Sequence, residues 1–133
     1  MANAQKTEFD KMLTGMYEYT VPLVKSEQLS EWLNDDRVYV LDAREGSEYK
    51  VSHIENAVEV GYDNFKLNSV KDIPKDSRVI IYCSVGYRSE RIGEKLIGEG
   101  YKNVFNLYGG IFDWVNNGNQ VYDNEGKVSK VHA

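Results

Sequence analysis

Apolar residues along this 133-residue chain fall into two alternating periods. Val79-Ile80-Ile81-Tyr82 is an unbroken, mostly β-branched apolar run, which predicts a strand buried on both faces. Ile92 and Leu96 follow, four apart among charged residues. They predict an amphipathic helix from Ser89 to Glu99, with Gly100 as its left-handed stop. Gly93 in that helix predicts close packing against the sheet. Val38–Leu41, Ala57–Val60 and Val104–Leu107 are further strands, and Thr20–Val24, with Pro22, is an edge strand.

Helical segments lie between these strands. Ser26 is placed to cap a helix with Glu27 in its first turn and Leu29, Trp32 and Leu33 inward; Asn34-Asp35-Asp36 ends it. Glu45–Val51 predicts a short helix, and Phe65 and Leu67 lie on a helical or looped segment. Pro74-Lys75-Asp76 is a turn into the central strand. Gly109-Gly110 opens a last helix carrying Ile111, Phe112, Trp114 and Val115, stopped by Gly118, with Trp114 in the core. Strands alternating with helices predict an α/β fold: a parallel sheet, helices on both faces and right-handed crossovers. At the ends, Phe9, Met12, Leu13 and Met16 predict a short helix within residues 1–19, ending near Gly15 and packing on the outside. Residues 122–133 are a polar tail with an Asn124-Glu125-Gly126 turn suited to a hairpin.

Composition narrows the partners. The net charge is −5 with no basic stripe, which argues against nucleic acid and an anionic membrane surface. One cysteine excludes an internal disulfide and a cysteine-based zinc cage, and His53 and His132 lack zinc-ligand spacing. No apolar run nears the roughly 18 residues of a membrane span. Residues 1–7 lack the apolar stretch of a signal peptide, so the cytoplasm is the expected location.

The single cysteine carries the candidate chemistry. Cys83 ends the central strand and stands on the short loop Cys83-Ser84-Val85-Gly86-Tyr87-Arg88-Ser89. Loop amides and a helix N-terminus present positive partial charge there, and Arg88 adds a full charge. All three stabilise negative charge on sulfur, and a thiolate is the nucleophile. Gly86 suits a loop whose N–H groups turn inward. A cation at a helix N-terminus is itself unfavourable, so Arg88 implies an anion nearby, either thiolate or substrate.

The loop resembles the active-site loop of single-domain rhodanese sulfurtransferases, in the form Cys-x-x-Gly-x-Arg-Ser. Two other stretches are similar to that family. Leu41-Asp42-Ala43-Arg44, Glu48-Tyr49 and His53-Ile54-Glu55-Asn56-Ala57 resemble its Asp-x-Arg…Glu-Phe/Tyr…Gly-His-Ile-x-Gly-Ala signature, departing at Ser52 and Asn56, where the family has glycine. Tyr101–Val104, Leu107–Ile111 and Trp114 resemble its closing segment. The resemblance runs from about Val21 to about Val121, and it implies a five-stranded sheet in the order 1-5-4-2-3 with the Cys83 strand central.

The resemblance further implies transfer of a sulfane sulfur through a Cys83 persulfide, from thiosulfate or a small-molecule or protein persulfide to a thiol or cyanide acceptor, without metal or organic cofactor. Ser84 through Ser89 would hold the persulfide, Arg88 would stabilise the donor's anionic group, and Val85 and Tyr87 would shape the approach. Asp42, Arg44, Glu48 and His53 are structural support in this reading, with Arg44 and Glu48 able to pair beneath the site and His53 closing a turn through a hydrogen bond. Two alternatives stay open. One is a persulfide carrier or regulatory module serving a protein partner. The other is a cysteine phosphatase or arsenate reductase, whose loops place five residues between cysteine and arginine; here there are four.

Overall fold

The computed structural model describes residues 3–35, 37–126 and 128–129, with side chains at 8–35 and 37–126. Asp36 and His132 lie outside the described residues. Five parallel strands form the sheet: β1 (Leu23–Val24), β2 (Val38–Asp42), β3 (Val58–Glu59), β4 (Arg78–Tyr82) and β5 (Asn103–Leu107). Their order is β1-β5-β4-β2-β3. β4 is therefore central, with Val79 beside Tyr39 and Val104, and Ile81 beside Leu41 and Asn106.

The apolar run of β4 splits by parity, as a pleated strand requires. Val79 and Ile81 join Leu41, Val104, Ile92 and Leu96 on one face. Ile80 and Tyr82 join Val24, Val40, Leu107, Ile111 and Trp114 on the other. Helices cover both faces: α1 (Asn3–Met16), α2 (Ser26–Trp32), α3 (Gly46–Val51), α4 (Tyr87–Gly98) and α5 (Gly110–Asn116). A 3-10 turn spans Leu67–Val70, and an antiparallel hairpin of β6 (Val121–Tyr122) and β7 (Val128–Ser129) follows α5. Gly93 on α4 faces Val21 and Ile81 so closely that a Cβ would press on Val21. No helix among the described residues is long and apolar enough to cross a membrane.

Several boundaries differ from expectation, each for a local reason. Lys25, not Ser26, caps α2; Ser26 is its first helical residue and turns its hydroxyl toward Asp113. β1 and β3 shrink to two residues each, as fits the sheet edges. α4 begins at Tyr87 rather than Ser89, because Gly86, at φ +114°, turns the chain into the helix at once. Asn56 occupies a left-handed position, φ +64°, that asparagine tolerates in place of glycine. Ser52 is extended and needs no glycine. Met12 is exposed, while Leu13 is fully buried.

Candidate active site

Cys83 follows β4 directly, at the carboxyl rim of the sheet, and is 1% exposed. The loop is suspended from α5. Ile111 and Phe112 donate their N–H groups to the carbonyls of Cys83 and Ser84, at 2.9 and 3.1 Å. Gly110 approaches those carbonyls so closely that a side chain would displace them. Only glycine allows that contact at φ +60°. The Gly86 N–H, at the head of α4, donates to Cys83 Sγ at 3.1 Å.

Ser89, the third residue of α4, is fully buried, with its hydroxyl 3.5 Å from Sγ and 2.5 Å from Asn106 Oδ1. Asn106 in turn donates its amide to the Gly86 carbonyl at 3.0 Å. Ser89 has one hydroxyl hydrogen for two neighbours. With that hydrogen on Asn106 the oxygen can accept from a thiol; turned toward sulfur it donates to a thiolate. Sequence reading did not single out Asn106. The one hint is an asparagine inside the apolar run Val104–Leu107, where a strand interior disfavours it; its partners are visible only in the fold.

Beside the expected Cys83 sulfur, Arg88 finds an anion that was not foreseen, Glu48. Arg88 Nη1 donates to Glu48 Oε1 at 3.2 Å, and Nη2 to Ser84 Oγ at 3.0 Å. Ser84 Oγ reaches Glu48 Oε2 at 3.4 Å. Burial opposes the Arg88 charge, but the Glu48 hydrogen bond and the neighbouring charges of Cys83 and Glu48 outweigh it and raise the guanidinium above its usual value. Burial also opposes charge on Glu48. The Arg88 hydrogen bond, the Glu45 backbone N–H and the Arg88 and Arg44 charges outweigh that and hold the carboxyl below its usual range.

The expected Arg44–Glu48 pair is not the arrangement found. Arg44 pairs with Asp42, its Nη2 2.7 Å from Oδ2 and its Nε 3.0 Å from Oδ1. Nη2 also donates to the Ser52 carbonyl at 2.6 Å. The Tyr82 hydroxyl donates to Asp42 Oδ2 at 2.7 Å and accepts the Ile54 N–H at 3.1 Å. Asp42, Arg44 and Tyr82 thus form a buried brace behind the loop. His53 joins neither group. Its Nδ1 lies 2.8 Å from the Tyr49 carbonyl, its ring stacks on Tyr49 at 3.9 Å, and its backbone bridges to Tyr122. Val85 is half-buried, and Tyr87 is 48% exposed on the outer surface of the loop.

One unpredicted residue enters from the N-terminal segment. Tyr17 donates its hydroxyl to the Val85 carbonyl at 2.5 Å and accepts the Gly109 N–H at 2.9 Å. It continues the spacing of four from Phe9 and Leu13, but nothing in the sequence marks its partner, 68 residues away.

The sequence matches the Rhodanese-like domain family over residues 25–117. The tRNA uridine(34) hydroxylase of Photorhabdus laumondii is 34% identical over 111 residues, 80% of this chain and 30% of that protein. The chain therefore spans about a third of the length of the curated relatives it matches. Among solved structures, thiosulfate sulfurtransferase from Pseudomonas aeruginosa superposes with a TM-score of 0.72 at 24% identity, over 87% of this chain and 22% of that one. A rhodanese-like domain protein from Staphylococcus aureus gives 0.63 at 22% identity, over 82% and 99%. At these identities the likeness is one of fold.

Proposed function

We propose that this chain, which belongs to the Rhodanese-like domain family, transfers sulfane sulfur through a persulfide on Cys83. The observation that carries the reading is the environment of Sγ: an inward Gly86 N–H, the Ser89 hydroxyl, and Arg88 on the same loop, bonded to Ser84. These groups favour negative charge on whichever sulfur occupies the loop.

The Cys83 thiolate attacks the outer sulfur of a donor R–S–SH. A new S–S bond forms to Cys83, the old one breaks, and its electron pair leaves on the thiolate R–S⁻; the proton stays on the transferred sulfur. With thiosulfate the leaving group is sulfite. An acceptor thiolate or cyanide then attacks the outer sulfur, and Cys83 recovers its thiolate. Splitting the transfer in two lets donor and acceptor differ. The amides from Ser84 to Ser89 hold the terminal sulfur, and Val85 and Tyr87 shape the approach to it.

Pairing of Arg88 with Glu48 favours a persulfide donor, small or protein-borne, over free thiosulfate. Thiosulfate brings two negative charges to a site where Glu48 already offsets the only loop cation.

The test is intact-mass analysis after exposure to thiosulfate, polysulfide and a low-molecular-weight persulfide in turn. Wild type should gain one sulfur atom, and Cys83→Ser none while melting normally. Thiocyanate formation from thiosulfate and cyanide that survives in Cys83→Ser would remove the assignment.

A further inference from the structure

Residue 17 lies before residue 25, outside the stretch that matches the family. Its ring is nevertheless buried, 5% exposed, and its hydroxyl ends at the active-site loop. The group it meets is specific. The Val85 carbonyl and the Gly86 N–H belong to one rigid peptide unit. Tyr17 donates to that carbonyl at 2.5 Å, and the N–H on its other side donates to Cys83 Sγ at 3.1 Å. The Gly109 N–H donates to Tyr17 Oη at 2.9 Å. The result is a continuous run of donors: Gly109 N–H to Tyr17 O–H, to the Val85–Gly86 peptide, to sulfur.

We infer that Tyr17 is a positioning residue for Cys83, acting through the Val85–Gly86 peptide. The inference rests on the reading of Cys83 as nucleophile. Two physical effects give Tyr17 this role. Gly86 lacks a side chain and sits at φ +114°, so little in the loop itself stops the peptide before it from rotating its N–H away. A hydrogen bond on the carbonyl fixes that plane. The same bond polarises the peptide and makes its N–H a stronger donor to sulfur.

The rest of the segment keeps Tyr17 in register. Its N–H bonds the Leu13 carbonyl at 3.0 Å, and Leu13 is fully buried. The N–H groups of Glu18 and Tyr19 both donate to the buried Glu90 carboxylate on α4, at 3.0 and 2.8 Å. The Tyr17 ring lies against Gly86 where any Cβ would collide with it. Burial pushes the phenol far above its usual value; the Gly109 N–H opposes this, and the Cys83 and Glu90 charges add to it. It therefore keeps its proton and remains a donor throughout the range in which a cysteine thiolate forms.

Tyr17→Phe removes the hydroxyl and keeps the ring. In an amide-resolved NMR spectrum the Gly86 proton should move upfield, and Cys83 alkylation should slow about tenfold at fixed pH. Leu96→Ala is the control. Leu96 is fully buried ten residues beyond Gly86 along α4, so its loss opens a core cavity and lowers the melting temperature, yet should leave the Gly86 resonance in place. In unmutated protein labelled at tyrosine Cζ, the Tyr17 signal should respond when Cys83 is alkylated, which reads the relay without any substitution. A Gly86 proton unmoved by Tyr17→Phe, one moved equally by Leu96→Ala, or a silent Tyr17 signal would each overturn the inference. All three are read on resting protein without a sulfur donor. Failure of sulfur transfer itself would sink the proposed function and leave these readouts standing.

Discussion

Asp42–Arg44 and Glu48–Arg88 are two carboxylate–guanidinium pairs; the first lies within one sequence signature, and the second joins that signature to the Cys83 loop. The Asp42 and Arg44 side chains are 0% and 5% exposed; those of Glu48 and Arg88 are 35% and 26%. The Asp42 carboxylate also receives the Arg44 backbone N–H and the Tyr82 hydroxyl, and the guanidinium reaches a carbonyl, so the buried charges are well provided with hydrogen bonds. Burial opposes the Arg44 charge, and the Asp42 hydrogen bond and charge outweigh it. Glu48–Arg88 has one contact at 3.2 Å and keeps access to water. The closed pair can only brace. The open pair can exchange partners, and an arriving anion competes with Glu48 for Arg88.

Breaking the closed pair should have the largest effect. Asp42→Ala strands the Arg44 charge in the interior and leaves Tyr82 without its acceptor, and should cost about 3–5 kcal/mol of stability. Urea unfolding measures this directly. A loss under about 1 kcal/mol would mean that water reaches the pair and that the contrast in burial is false.

Next is the cation of the open pair. Arg88→Lys keeps the charge and loses the planar fork that spans Glu48 and Ser84. Stability should change by less than about 1 kcal/mol. Use of thiosulfate should fall about tenfold, and use of a neutral disulfane donor less. Equal losses on both donors would make Arg88 a loop support of the same kind as Arg44.

The difference between the pairs also marks what was legible in the sequence. The sheet order was implied by the family resemblance alone, while the strands and the cysteine loop were plain, because apolar runs and turn residues report on backbone path. The partner of Glu48 was not. Arg44 and Glu48 are four apart, which pairs residues on a helix, but α3 starts at Gly46 and leaves Arg44 in the bend that follows β2. Arg88 is 40 residues from Glu48, and only the folded sheet brings them together. Tyr17 and Asn106 were missed for the same reason, since their partners are set by tertiary contact and not by spacing. The conflict of a cation in the first turn of α4 was visible beforehand, and Glu48 is its resolution.

Glu48→Gln should have the smallest effect, and it discriminates most finely between the two pairs. Glutamine still accepts from Arg88 but carries no charge, so stability should change by less than about 1 kcal/mol. With the sulfur anionic, Glu48 and Arg88 offset each other, and a dianionic donor meets a net negative site. Neutralising Glu48 should raise kcat/KM for thiosulfate roughly threefold and lower it for a persulfide bearing a cationic amine, with both effects shrinking as salt is added. The pH dependence follows from the sign of the shift. A carboxyl held below its usual value near 4.3 makes its contribution above that pH and loses it only as pH falls through the lower, folded value. Between pH 6 and 8 Glu48 therefore stays ionised, and the ratio of the two donor preferences, wild type against Glu48→Gln, should be constant. Measuring that ratio at three pH values is the check. A ratio that drifts across this interval would show that the charge steering the donor belongs to a group other than Glu48.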